Sequence, residues 1–168
     1  MIQVEINMEA LIETISHVDD NLGKSFLDTI TGEVIYIPTE VSSALESGTL
    51  KECSFDSWLK EFVSVAILIN DDEVNRYLSA PLIDEEFYIG AMKKYVSKLV
   101  SKTDLKLELQ KALNNKEPIK NFKHVLMDNQ NATGESETEQ WYEYEDGCIK
   151  EFIKSWLNSN DIEQKYLN

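Results

Sequence analysis

LKLELQKALNNKEPIKNFKHVL, residues 105–126, decides the fold. Leu105, Leu109, Ala112 and Leu113 recur at helical spacing, and Ile119, Phe122, Val125 and Leu126 form a second apolar stripe. Between the stripes, Asn114 and Asn115 are expected to end the first helix in the left-handed conformation, and Pro118 to open the second. A helix pair this short cannot bury both stripes on itself. Cover is expected from a last helix, opened by a capping box at Ser136 and Glu139, in which Trp141, Tyr144, Cys148, Ile149, Phe152, Ile153, Trp156 and Leu157 line up. Gly147 weakens that helix by about 1 kcal/mol relative to alanine and is expected to mark close packing.

Upstream of the pair, Asp84 to Val100 reads as a strong helix, with Asp84, Glu85 and Glu86 in its first turn and lysines toward its end, the order that suits the helix dipole. Its buried face runs through Phe87, Ala91, Met92, Tyr95, Val96, Leu99 and Val100. Lys94, Lys98, Lys102 and Lys106 continue at four-residue intervals on another face. They make a basic ridge if the helix bends little at residues 101–103.

Nearer the N-terminus the period changes. Ile2, Val4 and Ile6 suggest a short strand, and Asn7 caps a helix running to about His17 with Leu11, Ile12 and Ile15 buried. His17, Asp19 and Asp20 read as a solvated helix end rather than as metal ligands. From Lys24 to Pro38 alternation in steps of two around Thr31-Gly32 predicts a β-hairpin. Residues 39–53 read as irregular, apart from a helical turn at Val41 to Leu45. A helix opened by Ser54 or Asp56 follows, with Trp58, Leu59, Phe62, Val63, Ala66 and Ile67 inward and its apolar end well buried. Asn70-Asp71-Asp72-Glu73 stops it in solvent, and Arg76 to Pro81 is a third strand beside the hairpin. The stretch from Met127 to Thr138 reads as a polar loop. Asp128, Gln130, Gly134 and Glu139 match a calcium loop only in part, because the glycine falls one place late and Ala132 takes a ligand position.

These elements make an α+β fold: a small antiparallel sheet, with a hairpin near 25–37 plus short strands, packed against five or six helices. A chain of 168 residues, 42% hydrophobic and 28% charged, fits one domain over 1–168 with a core of its own. The N-terminus lacks the pattern of a secretory signal and no apolar run is long enough for a membrane span, so a cytoplasmic location is expected. Cys53 and Cys148 are expected as buried thiols.

Formal net charge is −15, unevenly placed: residues 1–92 carry −14, residues 93–123 carry +6 and residues 124–168 carry −7. Arg76 is the only arginine. Bidentate recognition of phosphate or guanine therefore has almost nothing to work with, and the overall charge opposes nucleic acid.

The order Phe26-Leu27-Asp28-Thr29-Ile30-Thr31-Gly32-Glu33-Val34, then Arg76-Tyr77-Leu78-Ser79-Ala80-Pro81, the helix around Met92, Ala112-Leu113 with Lys116, Pro118-Ile119 and Phe122-Lys123, and finally Trp141-Tyr142 and Trp156-Leu157, resembles a bacterial family, Uncharacterised Protein Family 0158. This sequence carries Gln140 where an arginine often precedes the Trp-Tyr pair. The resemblance implies a small bacterial cytosolic protein and supplies no activity, cofactor or catalytic residue.

For function, His17 and His124 are the only near-neutral bases, and no glycine falls in a phosphate-cradling pattern. The balance leans against an enzyme; a hydrolytic enzyme is the remaining catalytic reading, and no catalytic, metal or cofactor residue is assigned. The favoured reading is a non-catalytic protein acting through protein–protein interaction, with an unidentified basic partner. The alternative is an acidic immunity-like or DNA-mimicking inhibitor of a basic partner, motivated by Asp71, Asp72 and Glu73 and by Asp84, Glu85 and Glu86. A third possibility is a salt-sensitive homodimer, pairing Lys94, Lys98, Lys102 and Lys106 with acidic flanks of a second copy.

Overall fold

The computed structural model describes residues 2–16, 23–129 and 137–165. The chain divides into two compact units, residues 1–82 with 155–168, and residues 83–154. The expected cap of the last helix at Ser136, most of the 127–138 loop, and the His17–Asp19–Asp20 group lie outside the described residues.

In the first unit, β2 (Gly23–Asp28), β3 (Val34–Pro38) and β4 (Tyr77–Ser79) form an antiparallel sheet in the order β3-β2-β4. Phe26 sits opposite Ile35 on one side and Ser79 on the other. Hairpin and third strand are thus where alternation placed them. Gly32 has a φ of +76°, and a Cβ there would collide with the Glu5 carbonyl, so only glycine fits the turn. A second, parallel sheet pairs β1 (Ile2–Val4) with β5 (Ile162–Gln164) at the far end of the sequence, a pairing no local pattern announces. The helix α1 (Met8–Ser16) is capped as expected by Asn7, whose Oδ1 accepts from the Ala10 N–H at 3.1 Å.

Pro38 ends β3, and α2 (Thr39–Glu46) begins at the next residue, giving a full helix where only one turn was expected. A 3-10 turn over Ser57–Leu59 precedes α3 (Lys60–Asn70). That turn changes the phase of the apolar stripe. Leu59 and Ala66 are buried, whereas Trp58 is 59% exposed and Leu68 58% exposed, so neither Trp58 nor the apolar end of α3 is buried as expected. Phe26, Ile37, Val41, Ala44, Leu50, Leu59 and Ala66 form the buried cluster between this sheet and its helices.

Asp28, at the end of β2, is almost fully buried. Arg76 grips it with two bonds, Nε to Oδ1 at 3.0 Å and Nη2 to Oδ2 at 2.6 Å, while the backbone N–H groups of Ile30 and Thr31 also donate to Oδ1. Burial alone would raise the carboxyl pKa; the bonds from Arg76 and the turn outweigh it and hold the group below its ordinary 3.8.

The second unit contains α4 (Glu85–Lys98), α5 (Thr103–Leu113), α6 (Pro118–Asp128) and the portion of α7 (Glu137–Ser159) up to Lys154. Here the α5–α6 pair and its aromatic cover are as expected. Trp141 is fully buried, with Phe122 at 5.0 Å and Tyr95 at 5.3 Å between ring centroids, both edge-to-face. Met92, Leu105, Leu109 and Leu126 belong to the same cluster. Trp156, half-buried, falls in the first unit instead.

Three details differ from expectation. Asn114 has a φ of −94° and closes α5 with its side chain, Nδ2 donating to the Gln110 carbonyl at 3.0 Å, so the left-handed cap is not used. Gly147 is exposed and a Cβ there would meet open space, so it marks no close packing. Cys53 is exposed and Cys148 half-buried, both as free thiols.

Two outcomes follow for stability. Because Asp28 ionises more readily folded than unfolded, its contribution is complete above its ordinary pKa and is lost as pH falls through the lower folded value. Asp28→Asn should cost about 1 to 2 kcal/mol at pH 7, less than for a fully enclosed pair because Arg76 is 35% exposed. Urea titrations should show that this cost shrinks between about pH 4 and pH 2; a pH-independent cost would remove the ionic account. Gly147→Ala should raise stability by about 0.5 to 1 kcal/mol in the same assay, and a loss would show that the glycine is needed.

Candidate functional site

The end of β3, the start of α2, the 3-10 turn and the first turn of α3 surround one cleft of about 540 Å3, lined by Tyr36, Pro38, Thr39, Glu40, Ser43, Trp58 and Phe62. Each wall has a local cause. Pro38 cannot extend the ladder and turns the chain straight into α2, which brings Thr39, Glu40 and Ser43 beside Tyr36. The 3-10 turn rotates Trp58 off the buried stripe, and its ring meets Phe62 edge-to-face at 6.5 Å. Tyr36 is 46% exposed on β3. Among the described residues Glu40 is the one charged residue in the lining.

The residues expected to bind a partner are placed differently. Lys94 and Lys98 are exposed on α4, but that helix ends at Lys98 and α5 begins at Thr103, so the four lysines do not form one helical ridge. Lys102 pairs with Glu137 at 3.1 Å, and Lys106 donates to the Ser97 carbonyl at 3.0 Å. Both are occupied in holding the helix junctions. Of the acidic groups, Asp72 accepts from the N–H groups of Val74 and Tyr77, and Asp84 caps α4 by accepting from Phe87 N–H at 2.9 Å. Asp71 accepts from Asn70 Nδ2, and Glu73, Glu85 and Glu86 are exposed.

Charge is uneven between the units as well as between the sequence segments, though both units are net negative. The first unit has 5 Lys and Arg against 17 Asp and Glu, net −12; the second has 11 against 14, net −3. Since Arg76 is held by Asp28, the first unit offers very little positive charge to an incoming ligand.

The family model described as Uncharacterised protein family (UPF0158) matches residues 1–167. The chain belongs to UPF0158. No curated protein and no solved structure matches this UPF0158 member, and the family carries no assigned function.

Besides Asp28 and Arg76, the member's perturbed titratable groups lie in its second unit. Burial, with the charge of Glu137 adding, pushes the Tyr95 phenol up to about 12. Burial likewise raises Tyr144, helped by its bond with Cys148, and raises Glu145 against the opposing pull of Lys123. Tyr95 on α4 belongs to the core cluster, Tyr144 on α7 packs against it, and Glu145 is half-buried on α7. The cavity described in that unit, about 350 Å3 and lined by Lys93, Val96, Gln110, Leu113 and Asn114, includes none of them. Among the described residues no three His, Cys, Asp or Glu side chains converge to hold a metal, and no helix is long and apolar enough to cross a membrane.

Sequence reasoning missed the cleft because Trp58 and Phe62 fit a core stripe. The available signal was Asp56-Ser57 just ahead of the tryptophan, a pair suited to a tight turn before a helix. Trp58→Phe should remove the most acrylamide-quenchable part of the tryptophan fluorescence while stability stays within about 0.5 kcal/mol. Quenching that is unchanged in this variant would place Trp58 inside.

Proposed function

We propose that this protein is a non-catalytic interaction module that binds a basic partner protein through its first unit. The observation that supports it is an aromatic-lined cleft with an exposed tryptophan on the unit that carries −12 of the net −15. Long-range attraction speeds encounter and discriminates by charge, while aromatic surface supplies contact energy at close range. The perturbed tyrosines and glutamate lie in the second unit, and among the described residues the cleft lining holds one carboxylate and no histidine.

Asp71 and Glu73 remain as outward charges of the first unit in this reading and Glu85 and Glu86 as outward charges of the second, whereas Asp72, Asp84, Lys102 and Lys106 have work inside the fold. An acidic inhibitor of a basic enzyme is a special case of the same partner chemistry. We place the protein in a bacterial cytoplasm, in keeping with its free thiols.

Immobilised protein exposed to cell extract at low salt should retain proteins that are basic, and should release them as ionic strength rises and charges more than about 10 Å apart are screened. The comparison is a domain of equal net charge without an aromatic cleft. Enrichment no greater than on that control would overturn the proposal.

A further inference from the structure

The cleft has largely aromatic walls, to which Thr39 and Ser43 add hydroxyls, and among the described residues its charge is of one sign. Tyr36, Trp58 and Phe62 present aromatic surface, Pro38 extends it, and among the described residues Glu40 is the only acidic or basic side chain in the lining. No ion pair joins Glu40 to another described residue. We infer that this cleft seats an arginine side chain of the partner protein, with the guanidinium over the exposed aromatic faces and against the Glu40 carboxylate. The inference rests on the reading of the protein as a binder of basic partners.

Three features select that group. Aromatic faces attract a cation through their negative π surface, most strongly at tryptophan. A guanidinium is flat and weakly hydrated, so it stacks and still offers paired N–H donors to a carboxylate, whereas an ammonium holds its water more firmly. The methylene stem of arginine covers apolar wall as the head engages Glu40. An uncharged apolar side chain would cover the same rings but would strip water from Glu40 with nothing in return. Phosphate-bearing ligands are disfavoured by the −12 around the cleft.

The test uses the full chain, nitrogen-15 labelled, and two synthetic peptides alike except that one carries arginines where the other carries lysines. The arginine peptide should bind about threefold more tightly or better, and should shift the Trp58 indole resonance, identified by its loss in Trp58→Phe. Trp58→Ala should weaken arginine-peptide binding about five- to tenfold, and Glu40→Gln about two- to fivefold. Glu73→Gln, outside the cleft lining, should leave the arginine preference intact. Circular dichroism should show both cleft variants folded, as expected for exposed positions. Equal peptide affinities, an unmoved Trp58 resonance and an indifferent Trp58→Ala, with salt-sensitive binding retained, would overturn the arginine seat and leave the broader reading standing. Binding of neither peptide, with nothing enriched from extract over the control, would overturn both.

Discussion

The bond between Asp28 and Arg76 fixes more of the first unit than any other polar contact. A carboxylate buried at the end of β2 is tolerable only when its oxygens are all engaged, and here two guanidinium N–H groups and two turn N–H groups engage them. One acceptor pair thus ties the hairpin turn to the residue preceding β4. Thr29 N–H donating to the Arg76 carbonyl and Gly32 N–H donating to the Asp28 carbonyl close the same corner. With β2 held on both sides, β3 delivers Pro38 at a set position, and the direction of α2 follows from that proline. The wall of the aromatic cleft is therefore a remote consequence of where the only arginine is held. The same bond ties up that guanidinium, which stays partly exposed but pairs with Asp28, and the first unit is left acidic with aromatic edges.

The two units use tryptophan in opposite ways. Trp141 sits on a long helix whose phase keeps it inward, and its ring closes against Phe122 and Tyr95 with nothing exposed. Trp58 sits in a short tight turn whose phase differs from the helix that follows, and more than half of it faces solvent. Both residues belong to apolar stripes in the sequence. What separates them is a change from 3.6 to about 3 residues per turn over three positions, a shift too local for a periodicity count to resolve.

The same reasoning sorts what the sequence disclosed. Long regular segments were legible: the α5–α6 pair, the aromatic face of α7, the hairpin around Gly32, the third strand, and the cap at Asn7 all carry their cause within a few residues. The β1–β5 pair was not, because three-residue strands at opposite ends of the chain have no local signature and pair only when the fold brings them together. The lysine ridge failed for a reason that was present but unread. Val100 and Leu105 are both buried, and one straight helix would set them about 140° apart at roughly 100° per residue. The chain buries both by ending α4 and starting α5; Lys106 then bonds back across the junction to Ser97 and Lys102 pairs with Glu137 of α7, instead of extending a surface. The Asp28–Arg76 bond was hidden by sequence distance, although a lone arginine and an acid at a strand end were both in view.

Placement of charge and aromatic surface on one unit carries a physical tension. Like charges totalling −12 repel one another and lower the stability of a compact state. An exposed tryptophan beside a half-exposed tyrosine leaves apolar area in water. Each burden alone has ordinary remedies: a basic surface residue for the first, a rotamer turned inward for the second. Retained side by side, they are relieved together by a single kind of ligand, one that brings positive charge on an apolar stem. An uncharged ligand relieves only the aromatic exposure, and small cations relieve only the repulsion. Within a protein partner, arginine and lysine alone meet both demands, and the flat aromatic walls favour the flatter of the two heads.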